Sequence, residues 1–180
     1  IKSSVSSGAV SGNTDYFITG TWQQADGFRD HSEGESFRGS GNVGFKLTED
    51  FETRFYVNAN QIRQNIPGAV TRAEALSNPS GAFVRPGLGP TGNGNDNVDR
   101  DFERNLDTVR VANRTSWRVQ DGTVVEFGGF YLDRHLDHPI SIYIDQDVKN
   151  YGGFGRVVDD NMYGGFRNRF VGGVAVQNGE

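Results

Sequence analysis

The chain has 180 residues, 25 of them glycine, contains no cysteine, and carries a formal charge of −5 at pH 7. Its length permits one domain, and a mean hydropathy of −0.59 leaves no room for a transmembrane helix, which needs about 20 consecutive apolar residues. The absence of cysteine excludes a disulfide framework or a thiolate metal site, and the mild acidity argues against nucleic acid as a partner.

Eight runs rich in β-branched or aromatic residues follow one another along the chain and predict an all-β fold. Several reach roughly twelve residues, whereas strands of soluble sandwiches usually have about five or six. A tilted strand needs about 9 to 11 residues to cross a bilayer, so the longer runs could span one. The predicted strands lie at about 1–10, 13–23, 36–47, 52–64, 105–119, 123–135, 148–158 and 165–177.

The third and fourth runs divide their side chains between two faces, because successive residues of a strand point to opposite sides. In the fourth run, Phe55, Val57 and Ala59 share one side, and polar residues share the other. The apolar side of the third run carries Gly41, Val43, Phe45 and Leu47, and the polar sides of the two runs carry Arg38, Ser40, Asn42, Lys46, Arg54, Tyr56, Asn58 and Asn60. This alternation predicts a wall between hydrocarbon and a polar interior, in an antiparallel up-and-down transmembrane β-barrel.

Aromatic and charged residues extend the two-sided pattern to the other runs. Outward-pointing aromatic rings would settle at the two interfaces of a membrane, whereas charges at the alternate positions need water or a protein partner rather than a dry core. The aromatic residues near strand ends are Tyr16, Trp22, Phe37, Phe45, Trp117, Tyr131, Phe166 and Phe170. The charged residues at inner positions are Arg38, Lys46, Arg54, Arg110, Arg114, Arg118, Glu126, Arg167 and Arg169.

The connections between the runs alternate in length. Short turns are predicted at 11–13, 48–51, 120–122 and 159–164, and long loops at 24–35, 65–104 and 136–147. Asp121 and Gly122 are typical of a tight hairpin turn, and Thr71 with Glu74 forms a capping box for a short helix that Pro79 would end. Short turns on one side and long loops on the other are typical of an outer-membrane barrel.

Motifs that would carry chemistry are weak in this sequence. The stretch GLGPTG at 87–92 matches a dinucleotide-binding pattern literally, but no strand precedes it and no helix follows it. The acidic stretch 96–103 could gather calcium through oxygen ligands, although a solvated acidic loop is the simpler interpretation. His31, His135 and His138 lack the spacing of a shared metal site, and no nucleophile with a base indicates an enzyme. We therefore expect no catalytic residue, no metal site and no cofactor.

Segments 15–68 and 113–140 resemble the barrel portion of TonB-dependent outer-membrane receptors, in particular the siderophore receptors. The resemblance implies a barrel of about 22 strands around a plug domain. Residues 1–180 would then be an internal part of the barrel domain, without the plug and the remaining strands. The most specific stretches are DGFRDHS at 26–32, ETRFY at 52–56 followed by RQNIPG at 63–68, and HLDHPI at 135–140.

The resemblance also implies active uptake of a scarce ligand, often a ferric siderophore, across the outer membrane. The partners would be this small ligand, outer-membrane lipid, and the energy-coupling protein TonB acting through the plug. Arginine and histidine side chains in the extracellular loops could hold an anionic iron chelate at the mouth. The candidate ligand-binding residues are Arg29, His31, Arg63, Gln64, Arg134, His135 and His138. A passive porin and a soluble carbohydrate-binding β module remain the alternatives.

Overall fold

Eight antiparallel strands, paired in chain order, form a single sheet in the computed structural model, which describes residues 1–84 and 96–180. The strands are β1 (Lys2–Ser11), β2 (Thr14–Ala25), β3 (Gly34–Lys46), β4 (Phe51–Asn65), β5 (Glu103–Gln120), β6 (Thr123–His138), β7 (Ile144–Tyr163) and β8 (Phe166–Gly179). The all-β prediction and the up-and-down order are confirmed. Among the described residues, no helix has the length and apolar character needed to cross a membrane.

The sheet is open within the described part of the chain. Its order runs from β1 to β8, and these two strands form its edges instead of pairing with each other. Two-residue turns at 12–13, 121–122 and 164–165 join strands at one end of the sheet, together with the connection 47–50. The connections 26–33, 66–102 and 139–143 lie at the opposite end. The connections 26–33 and 66–102 confirm two of the predicted long loops. The third, predicted at 136–147, is wrong, because β6 continues to His138 and β7 begins at Ile144, which leaves a connection of only 139–143.

The turn predicted at 159–164 is wrong, because β7 continues to Tyr163 and the hairpin turns at Gly164 and Gly165. These glycines have φ angles of 60° and 83°, which a tight hairpin turn requires and which glycine adopts without steric cost. The two aspartates that suggested a loop are satisfied across the sheet. Asp159 accepts a hydrogen bond of 2.7 Å from the Thr123 hydroxyl, and Asp160 pairs with Arg167 at 2.9 Å.

The single helix of the described residues, α1 (Arg72–Ser77), lies in the connection between β4 and β5. Its N-cap is Thr71, whose hydroxyl accepts a hydrogen bond from the Glu74 backbone N–H, and the Glu74 carboxylate accepts one of 2.7 Å from the Thr71 backbone N–H. The predicted capping box is confirmed. The helix ends two residues before Pro79.

The sheet has no second layer packed on it in the described residues. Phe102, which is 6% exposed and lies in the connection before β5, is the one buried hydrophobic side chain described. By contrast, Phe55 and Val57 in the centre of the sheet remain 50% and 47% exposed. A sandwich would cover these side chains with a second sheet about 10 Å away, so the structure gives no support to a sandwich core around them.

Candidate functional site

The strand register places the apolar side chains of all central strands on one face of the sheet. Val43 lies opposite Phe55, and Gly41 lies opposite Val57, so the apolar sides predicted for β3 and β4 coincide. Neighbouring strands continue the same rows. We call this side the apolar face; its central residues are Tyr16, Ile18, Val43, Phe55, Val57, Val111 and Tyr131. The opposite side, which carries Arg54 and Arg114, is the charged face.

The predicted division of aromatic and charged residues holds across the sheet. Every aromatic residue predicted to point outward lies in register with the apolar face, from Tyr16 on β2 to Phe170 on β8. Every charged residue predicted to point inward lies in register with the charged face. Residue alternation within single strands was therefore sufficient to assign both faces.

A shallow groove crosses the centre of the apolar face. It has a volume of about 750 Å³, and Gly41 and Gly129 form part of its lining beside the side chains of Tyr16, Phe55 and Tyr131. A side chain at position 41 would contact Ile18 and Val57, each about 3.7 Å from an added Cβ. The glycines thus make room for the larger apolar side chains on neighbouring strands.

A polar cluster interrupts the apolar face between β4 and β5. The hydroxyls of Thr53 and Thr115 are 2.9 Å apart, and the Asn113 amide donates a 2.8 Å hydrogen bond to Thr53 Oγ1. The Thr115 hydroxyl donates to Asn113 Oδ1 at 3.2 Å, and Thr115 is only 5% exposed. Mutual hydrogen bonding lowers the cost of placing these groups among apolar side chains. Sequence reasoning missed the cluster, although Asn113 and Thr115 break the apolar pattern begun by Val109 and Val111.

Ion pairs organise the end of the charged face near the short turns. Arg54 contacts Asp15 at 2.7 Å across β3. The Glu126 carboxylate, 6% exposed, accepts hydrogen bonds from both Arg114 and Arg156 on the two neighbouring strands. A buried carboxylate held by two guanidinium groups is a satisfied structural element.

The charged face is strongly cationic even though the whole chain carries a charge of −5. Its acidic residues in the strands are Asp15, Glu52, Glu126 and Asp160. Its basic residues are Lys2, Arg38, Lys46, Arg54, Arg104, Arg110, Arg114, Arg118, Arg134, Arg156, Arg167 and Arg169. The negative charge of the chain therefore lies elsewhere, in the loops and on the apolar face, mostly near the long loops.

Two of the predicted ligand-binding residues hold the long loops together. Arg29 donates hydrogen bonds to the backbone carbonyls of Gly81 at 3.0 Å, Gly68 at 2.7 Å and Pro67 at 3.3 Å. The ring of His31, whose side chain is 8% exposed, donates to the Phe102 carbonyl at 3.1 Å. Both side chains are thus occupied by the connections 66–84 and 96–102.

Arg63 and His135 lie in register with the apolar face, beyond its last apolar row and near the long loops. Arg63 Nη2 donates to both carboxylate oxygens of Asp107, at 2.9 and 2.7 Å, and this hydrogen bonding lowers the pKa of the Asp107 carboxyl. His135 contacts Asp147 at 2.8 Å. The hydrogen bond with Asp147, helped by the charge of Asp145, raises the pKa of His135.

Gln64, Arg134 and His138 belong to the charged face instead. His138 Nδ1 donates to the Glu103 carbonyl at 2.6 Å, whereas Arg134 and Gln64 make no side-chain hydrogen bond with any residue of 1–84 or 96–180. Because neighbours on a strand face opposite ways, Arg63 and Gln64 cannot line one surface together, and neither can Arg134 and His135. The seven candidates therefore divide among the loops and two faces.

The three histidines do not form a metal site in the described residues, where no group of three or more histidine, aspartate or glutamate side chains is placed to hold an ion. In the acidic stretch, Asp96 Oδ1 accepts hydrogen bonds from the backbone N–H groups of Val98 at 2.9 Å and Asp99 at 3.3 Å. This carboxylate closes a turn. The GLGPTG stretch at 87–92 lies outside the described residues.

Comparison with protein-family models found no match to this chain, and comparison with curated proteins found none either.

Proposed function

We propose that this chain forms part of the wall of an outer-membrane β-barrel that takes up a scarce ligand, in the manner of TonB-dependent receptors. The observation that carries the proposal is the uncovered apolar face, which lies directly opposite a cationic face. On β4, the apolar face runs from Phe51 to Ala59 and is interrupted at Thr53. A tilted strand needs about 9 to 11 residues to cross a bilayer, and the length of this stretch agrees with that requirement.

Hydrocarbon is the solvent that best suits the apolar face. Phe55, Val57 and Val111 are 50%, 47% and 44% exposed at the centre of the sheet, and no described element covers them. Each buried apolar side chain contributes about 1.5 to 3 kcal/mol relative to exposure to water. A water-soluble monomer rarely leaves such a continuous apolar surface open.

An aqueous or protein-filled lumen suits the charged face. Charges such as those of Arg38, Arg54 and Arg110 would each cost several kcal/mol in a dry interior without partners. The connections 26–33, 66–102 and 139–143 share the end of the sheet that would face outward. A ferric siderophore or similar small ligand would enter there, and TonB would supply energy through a plug. The sequence resemblance supports these last two assignments.

A passive porin is the second candidate, and the excess of arginine on the charged face favours an anion-selective form of it. The two functions differ in whether the lumen is open. Single-channel recording of the full-length protein in a planar bilayer separates them. A steady conductance that favours anions supports the porin, whereas a closed baseline supports a plugged receptor. The soluble carbohydrate-binding alternative has no comparable observation in its favour.

One pair of substitutions on β4 tests the proposed wall. Val57→Asp places a charge on the apolar face, and Asn58→Asp places the same charge one residue away on the charged face. In the full-length protein, we expect Val57→Asp to reduce the folded, heat-modifiable form in outer-membrane fractions severely, and Asn58→Asp to reduce it little. Equal effects of the two variants, or recovery of the wild-type protein in the soluble fraction, would contradict the proposal.

A further inference from the structure

Three arginines of the charged face lie within three strand spacings of one another and have no acidic partner in the described residues. Arg38 on β3, Asn60 on β4, Thr108 on β5 and Arg134 on β6 form one row across the sheet. Arg110 lies two residues from Thr108 on β5 and is therefore diagonal to Arg134, at about 7 to 8 Å. Arg38 and Arg134 are three strand spacings apart, about 14 Å.

Polar atoms within this row lack hydrogen-bond partners. Arg134 Nε and Asn60 Oδ1 are both buried and have no partner among residues 1–84 and 96–180. Buried donors and acceptors are nearly always satisfied, and each unsatisfied group costs about 1 to 3 kcal/mol. The described chain therefore leaves hydrogen-bonding capacity unused at both positions of this row.

A polar pocket of about 420 Å³ opens beside Arg38 on this face. Hydroxyl and amide groups of Thr19, Thr21, Ser40, Asn58 and Asn60 line it. These groups can donate hydrogen bonds to an anion without competing for the arginines, because none of them carries a negative charge. The Arg38 end of the row, where Arg38 and Asn60 line this pocket, thus combines space, donors and unneutralised positive charge.

The absence of acidic partners is confined to this part of the charged face, because other arginines of the face do form ion pairs. Arg54 holds Asp15, and Arg114 with Arg156 holds Glu126, nearer the short turns. Arg110 instead lies over the Phe130 ring, with 5.6 Å between the guanidinium carbon and the ring centroid. Such a contact positions a guanidinium group without neutralising it.

We infer that Arg38, Arg110 and Arg134 form a binding site for a small multivalent anion bearing carboxylate or phosphate groups. The inference rests on the proposed function in one respect, because solutes must reach the charged face through the lumen. Guanidinium groups bind both kinds of anion through paired hydrogen bonds. Their separation across three strand spacings selects a ligand with more than one anionic group, since a single group cannot satisfy all three arginines.

The test measures anion binding to the full-length protein purified in detergent at about 0.15 M salt, where long-range attraction is screened. Isothermal titration with tricarballylate examines carboxylate recognition, and titration with pyrophosphate examines phosphate recognition. The variants are Arg38→Gln, Arg110→Gln, Arg134→Gln and the triple substitution. Arg169→Gln is the control, because it removes one positive charge from the same face near the β7–β8 turn.

We expect saturable binding of at least one probe by the wild-type protein, weakened about tenfold or more by each single substitution. The triple variant should lose measurable binding, and Arg169→Gln should retain wild-type affinity. Absence of saturable binding by both probes would overturn the inference, and so would equal affinity of the wild-type and triple variants. Failure of this inference is distinguishable from failure of the proposed wall, because localisation is measured in outer-membrane fractions and heat-modifiable migration on the purified protein, both without the anion.

Discussion

The two faces of the sheet share one backbone but satisfy their side chains in opposite ways. On the apolar face, the few polar groups at the centre, Thr53, Thr115 and Asn113, hydrogen-bond to one another. On the charged face, Arg54 pairs with Asp15 two strands away and Glu126 pairs with arginines on both neighbouring strands, whereas Arg38 and Arg134 have no ion-pair partner in the described residues. In the membrane location that we propose, a polar group on the first face must be satisfied by the protein itself, because hydrocarbon offers no hydrogen bond, whereas the second face can rely on water or a ligand.

The largest effect that we expect comes from breaking the ion-pair cluster of the charged face. Glu126→Ala leaves Arg114 and Arg156 without their carboxylate. We expect the free energy of unfolding to fall by about 2 kcal/mol, a value reduced from that of a fully buried pair because both arginines are about half exposed. Urea unfolding in detergent, followed by tryptophan fluorescence, measures the change.

Glu52→Ala is the matched control for Glu126→Ala. Glu52 lies in the same row of the charged face, opposite Ser116, which in turn lies opposite Glu126. It forms no ion pair within 4 Å in the described part of the chain, so its removal should change stability by less than about 0.5 kcal/mol. A loss at Glu52 as large as the loss at Glu126 would show that the row responds to total charge and not to the particular contacts.

A smaller effect is expected from the polar cluster of the apolar face, and it should be non-additive. Thr53→Val removes the hydroxyl that accepts from Asn113 and contacts Thr115. We expect this single change to destabilise the protein by about 1 kcal/mol, because two polar groups remain among apolar neighbours. The same urea unfolding assay measures the loss.

Replacing Thr53, Asn113 and Thr115 together by valine should be close to neutral, because no unsatisfied partner remains. If the triple variant instead loses the sum of the three single effects, the cluster is not a closed network. The face around it would then be in contact with water, and the comparison between the two faces would fail.

The smallest effect concerns His135, at the loop end of the apolar face. Its hydrogen bond with Asp147 raises its pKa above the ordinary value of 6.5. The contact therefore stabilises the folded protein fully below pH 6.5 and loses this contribution as the pH rises through the higher folded value. NMR titration of labelled histidine should show the raised pKa, and Asp147→Asn should lower it towards 6.5. An unchanged titration in that variant would remove Asp147 as the cause.

The sequence by itself determined the strand order, the two faces and the capped helix. These features depend on local rules: alternation along a strand assigns Val57 and Asn58 to opposite sides, and the Thr71–Glu74 capping box needs only four consecutive residues. The resemblance to a receptor family stays a prediction, as do the ligand and the cellular location proposed from it.

Only the tertiary structure decided which side chains meet. Arg29 reaches the Gly81 carbonyl 52 residues away and acts as a loop clamp, and Asp159 extends β7 because Thr123 and Asn161 satisfy its carboxylate. The grouping of Arg38, Arg110 and Arg134 likewise arises from the register of the four strands β3 to β6. These arginines are far apart in the chain, and only strand pairing brings them to the same part of the charged face. Alternation fixes the side on which a residue lies, but its partners depend on cross-strand pairing, which local sequence does not encode.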